Sequence, residues 1–122
     1  MYREAIAAYQ EAIRLGDESP STQIFLGAAF ARAGERERAQ MMLKRLETSK
    51  YVSPGELAVL YAALDQHEQA FRSLEKAFAA RDVQMQFLRV DPAFDSLRGD
   101  PRFGDLLRRV GLPTVGTAVS PR

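Results

Sequence analysis

Residues 23–46 read QIFLGAAFARAGERERAQMMLKRL and residues 54–77 read PGELAVLYAALDQHEQAFRSLEKA. The two stretches share one pattern. Leu26, Gly27 and Phe30 occupy the offsets of Leu57, Ala58 and Tyr61, and Ala39, Leu43 and Leu46 those of Ala70, Leu74 and Ala77. Leu26 to Ala39 is thirteen positions, as is Leu57 to Ala70. Apolar residues three and four apart mark a helix face, and a repeated offset marks a repeated helix pair. Gly34 punctuates the first pair; Asp65 stands at the equivalent place in the second and tolerates a left-handed backbone better than most residues, so a slightly strained but intact turn is expected. Helical spacing runs through residues 2–81 with no strand-like alternation. This predicts an all-α fold of antiparallel helix pairs, with helices near 2–15, 20–33, 35–48, 54–64, 66–80 and 100–110 and short helical turns between 83 and 97.

Toward the N-terminus, YREAIAAYQEAI (residues 2–13) places Ala5, Tyr9 and Ala12 at the offsets of a second helix without its first. Ala5 to Ala39 is 34 positions, whereas Ala39 to Ala70 is 31, so the link TSKYVSP is three residues short. The chain therefore reads as a fragment of a longer solenoid, with Tyr2, Ile6, Tyr9 and Ile13 left short of cover. Small residues at Gly27, Ala39, Ala58 and Ala70 are expected to let paired helices approach, and Phe30, Tyr61 and Leu74 to fill the space between pairs. Ser19-Pro20, Ser53-Pro54 with Glu56, and Asp65 with Glu68 offer helix starts.

This spacing resembles the tetratricopeptide repeat, whose first helix carries a Leu-Gly/Ala-x-x-Tyr face and whose second carries Ala-x-x-x-Phe/Tyr-x-x-Ala. Residues 51–113, including FLRVDPAFDSLRGDPRFGDLLRRVGLP, resemble the C-terminal end of repeat regions in large bacterial signalling proteins. Such regions follow winged-helix DNA-binding, serine/threonine kinase or nucleotide cyclase domains, so the resemblance implies an appended module. Gln84 and Met85 stand where such ends often carry a tryptophan.

Length and composition set the remaining bounds. The 122 residues suit one domain, here 1–113 as about two and a half repeats plus a C-terminal capping helix, and 114–122 as a disordered tail. Seventeen basic and sixteen acidic residues leave a net charge of +1, so no overall field favours nucleic acid or an anionic membrane. There is no cysteine and no apolar run of membrane-spanning length, and a cytoplasmic location is expected.

Asp91 and Asp100 each precede proline, the arrangement of a helix cap. The competing reading, a carboxylate cluster of Asp91, Asp95, Asp100 and Asp105 for acid–base or metal chemistry, is opposed by the interleaved Arg98, Arg102, Arg108 and Arg109. Phe94 with Leu97, and Phe103, Leu106, Leu107 and Val110, are spaced as core. His67 is alone and cannot build a zinc site, and no glycine-rich phosphate loop occurs. Of Met41 and Met42, one is expected in the core and one at the surface.

No enzymatic site, metal or cofactor is expected from these residues. The expectation is a protein-interaction module that takes a peptide or partner helix of unknown identity in a groove lined by the first helix of each pair. By register the groove candidates are Ser21, Ile24, Ala28, Ala31 and Arg32, then Val52, Gly55, Val59 and Ala62, with Ile24, Ala28, Arg32, Val59 and Ala62 as the binding residues. Self-association, giving a homodimer, is the alternative.

Overall fold

The computed structural model describes residues 2–49 and 52–110. Among them are six α-helices, α1 (Tyr2–Arg14), α2 (Pro20–Arg32), α3 (Arg36–Glu47), α4 (Pro54–Ala63), α5 (His67–Ala79) and α6 (Pro101–Arg109), and two 3-10 segments, η1 (Val83–Phe87) and η2 (Pro92–Leu97), with no strand. The fold is all-α. Each helix ends within two residues of its expected limits; the expected tail, 114–122, lies outside the described residues.

Four of these elements begin in one way. Proline holds the first helical position at Pro20, Pro54, Pro92 and Pro101, where no amide hydrogen is needed, and the residue before it accepts from an orphan amide. Ser19 takes the Thr22 N–H at 3.4 Å, Ser53 the Glu56 N–H at 3.3 Å, Asp91 the Ala93 N–H and Asp100 the Arg102 N–H, both at 2.9 Å. The capping box at Ser53 is half formed, because the Glu56 carboxylate accepts the Ser21 hydroxyl hydrogen at 2.7 Å instead of returning to Ser53. Asp82, just beyond α5, accepts from the Ser53 hydroxyl and from the Gly55 N–H at 3.0 Å, tying the end of one helix to the start of its partner.

Four helices also end in one way. The amides of Asp17, Glu35, Gln66 and Asp82 reach back to the carbonyls of Ala12, Phe30, Tyr61 and Ala77 at 2.8–2.9 Å, each across a left-handed residue. That residue is Gly16 or Gly34 at two ends, but Asp65 (φ 59°) and Arg81 (φ 56°) at the others. The turn at Asp65 is intact, as expected. Asp65 does not cap α5, however: the N-cap is Gln66, with no side-chain cap bond, and the Asp65 carboxylate lies 3.7 Å from Arg36 and 3.9 Å from His67.

α2 and α4 form the centre. They lack a polar face: Ile24, Leu26–Ala31 and Ala58–Ala62 are buried, so neighbours must cover them on every side. α3 packs antiparallel on α2 and α5 on α4, α1 covers the other flank of α2, and η1 and η2 lie on α4. Gly27 serves a contact other than the one expected. A Cβ there would meet Leu60 Cδ1 at 3.1 Å, so the missing side chain brings α2 against α4, between pairs and not within one. Phe30, expected between pairs, lies under the Arg38 guanidinium of its own pair at 4.3 Å.

The C-terminal unit follows at 34 residues, the spacing of Ala5 to Ala39 and three more than that of Ala39 to Ala70. Arg102 of α6 bonds Glu68 of α5 at 2.9 Å, and Arg109 bonds Glu75 at 3.0 Å, both across 34 residues. A constant offset means that α6 runs parallel to α5, as one second helix beside another. η1 and η2 take the place of the intervening first helix, anchored by Leu88, Phe94 and Leu97, which are fully buried.

Gly27→Val is expected to destabilise the fold by about 1–3 kcal/mol through overpacking against Leu60. Leu60→Ala should cost less in that background than in the parent, as a double-mutant cycle of urea melts will show. Arg81→Gly, which relieves a left-handed side-chain residue, should raise stability by about 0.5–1 kcal/mol in the same assay.

Candidate functional site

A cleft of about 340 Å³ lies between α1, α2, α4 and the start of η2. Of the register candidates Ala28, Arg32 and Val59 line it and Ile24 and Ala62 do not; Ala28 and Val59 are themselves buried, at 5% and 4% exposure, so Arg32 is the candidate open to solvent. The reason is that α2 and α4 are enclosed: the chain's own residues 83–97 lie over α4, leaving only a short stretch of its face open. Ser21 and Gly55 are engaged by Glu56 and Asp82, Val52 is half-buried and Ala31 is buried.

Sequence reasoning missed the rest of the lining. Tyr2, Ala5 and Tyr9 of α1 face Phe25 and Ala29 of α2, with Tyr9 and Phe25 stacked at 6.4 Å between centroids and 29° between planes. Asp91, Pro92 and Ala93 close the far end. The Asp-Pro pair signalled a helix start, but nothing local to it signalled that this start lies against α4. Arg32 is exposed at the rim, where its guanidinium donates to the Ala93 carbonyl at 3.4 Å, a long bond that leaves most of its donors facing solvent. α1 is better covered than expected, since Ile6 is buried and Tyr9 stacked, while Tyr2 and Ile13 remain exposed.

The acidic residues of the C-terminal unit are each engaged separately. Asp91 and Asp100 cap their helices; Asp95 pairs with Arg98 at 2.7 Å and Asp105 with Arg109 at 3.0 Å. Among the described residues no three His, Asp or Glu side chains gather as a metal site. The arginines are held on their faces as well as their edges: Arg98 lies over Phe103 at 5.2 Å, Arg102 over Phe71 at 4.3 Å and Arg109 over Phe78 at 5.1 Å. Arg98 also donates to the Arg89 and Asp91 carbonyls, both at 2.8 Å, which fixes the path between η1 and α6.

Titration follows these contacts. The Arg102 guanidinium and amide hold the Asp100 carboxyl down at about 2. Burial, and then the bond to Glu47 at 2.5 Å, push the Tyr61 phenol up. His67, expected at the open surface, is half-buried, with its Nε2 covered and making no hydrogen bond. One methionine of the pair is in the core and one outside, as expected, and the structure assigns the core position to Met42. Among the described residues no helix is long and apolar enough to cross a membrane. Compared with protein-family models, curated proteins and solved structures, the chain matches none.

A carboxyl held below its unfolded value adds stability that is complete above the ordinary carboxylate range and is lost as pH falls through about 2. NMR titration should find the Asp100 midpoint near 2, and Arg102→Ala should return it toward the ordinary carboxylate range.

Proposed function

We propose that this chain is a non-catalytic protein-interaction module of the tetratricopeptide type, which takes a peptide or partner helix in the cleft between α1, α2, α4 and η2. The observation that carries this reading is the cleft's composition: aromatic and small apolar walls beside one exposed guanidinium, Arg32, that has only a long bond to the Ala93 carbonyl. Apolar walls favour burial of a ligand side chain, and a guanidinium with free donors suits a carboxylate or a backbone carbonyl. The 34-residue offset that relates α6 to α5 supports the repeat reading, because it equals the spacing from Ala5 to Ala39. The sequence resemblance supports placing the module in the C-terminal part of a larger bacterial signalling protein in the cytoplasm, with no cofactor.

The test is selection of peptides from a displayed library on this chain, followed by titration calorimetry of a selected peptide. Arg32→Glu and Tyr2→Ala, both at exposed positions, should each weaken binding by at least about 1 kcal/mol while the helical circular dichroism is unchanged. If both variants bind like the parent and Arg102→Glu abolishes binding, the cleft is not the site.

A further inference from the structure

We infer that the outer face of α3 packs antiparallel against α3 of a second copy of this chain, about a two-fold axis at Met41. Met41 is 69% exposed although its neighbour Met42 is in the core. Met41 lines a second cleft, of about 410 Å³, with Ile13, Leu26, Phe30 and Met42 as its other apolar residues beside two glutamines, Arg38 and Arg45; Ile13 is itself 36% exposed. An exposed methionine at a recess with four apolar side chains offers a flexible side chain and a place to put one.

The charges around Met41 say what covers it. Glu37 lies one turn before Met41 and Arg45 one turn after, so the three share a face. Both charged side chains are exposed, and neither has a hydrogen bond or ion pair among the described residues, whereas the neighbouring Arg36 and Arg38 are paired with Asp65 and Glu35. Within one helix Glu37 and Arg45 are about 12 Å apart along the axis and cannot meet. A two-fold axis through Met41 places each Glu37 opposite Arg45 of the second copy, twice over, with the two methionines between them. That is the requirement of an isologous interface: one patch complementary to itself. Arg38 falls opposite Lys44 of the second copy, but its charge is met by Glu35 at 3.2 Å and its face is laid on Phe30. This face shares no lining residue with the cleft that holds Arg32, so a dimer formed here leaves that cleft open.

Sedimentation of the full chain from micromolar to millimolar concentration tests the interface. A reversible monomer–dimer equilibrium is expected, with Met41→Lys, Glu37→Arg and Arg45→Glu each weakening it at least about tenfold: each reversal sets like charges opposite one another twice, and Met41→Lys brings two ammonium groups together on the axis. Combining Glu37→Arg with Arg45→Glu should return the dissociation constant to within about threefold of the parent, since the pairing is restored with its direction exchanged. Circular dichroism of each variant confirms that the helices persist. A chain that stays monomeric at millimolar concentration overturns the inference. So does a dimer that is indifferent to the single reversals, or one that the combined reversal fails to restore.

Discussion

Two helices without a polar face, α2 and α4, impose the arrangement of everything around them. An α-helix that is apolar on all sides has no stable orientation at a surface and must be enclosed. α1 and α3 enclose α2; α5, η1 and η2 enclose α4; and the two central helices cover each other where Gly27 admits Leu60. The contact depends on the absence of a single side chain, so it is sensitive to any added volume at Gly27.

Past α5 the chain repeats the same placement with different materials. A third first helix would need a further run of helical apolar spacing; residues 83–97 instead form two 3-10 segments that fill the position with Leu88, Phe94 and Leu97. What fixes α6 in register is a pair of similar contacts two turns apart, Arg102 on Phe71 with Glu68, and Arg109 on Phe78 with Glu75. Arginine suits both places because a planar guanidinium lies on a ring while its edge bonds a carboxylate, which an ammonium group does not reproduce. The aspartates of this segment have a different task. Asp91 and Asp100 satisfy orphan amides at the starts of η2 and α6, and Asp95 and Asp105 hold arginines.

Enclosure of the central helices also decides which surfaces remain for binding. Where the register of α2 and α4 suggests an open inner face, the return of the chain over α4 leaves a short cleft bounded by Arg32; Ala62 on α4 is core, and so is Ile24, on the α2 that α1, α3 and α4 surround. Around Met41 the outward face of α3 is covered by no other element among the described residues. These two surfaces differ in charge: one has a single cation at its rim, the other has charges of both signs around Met41.

The sequence alone determined the helices, their pairing and most of their ends, though not the Gln66 start or the left-handed Arg81 end of α5. Each of these depends on residues close together in the chain: the thirteen-position offset, the Ser-Pro and Asp-Pro starts, and the glycine or aspartate that reverses direction. It also separated Met42 from Met41 and cast Asp91 and Asp100 as caps, since helical phase and a following proline suffice for that. Only the tertiary structure decided that Gly27 faces Leu60, that Tyr9 stacks on Phe25, that Glu56 turns to Ser21 instead of closing its own capping box, and that residues 91–93 bound the cleft. Those contacts join residues on different elements, and helical phase specifies which face a side chain occupies but not which neighbour meets it. That choice falls to the packing of whole helices, where volume and burial summed over many residues outweigh any local preference.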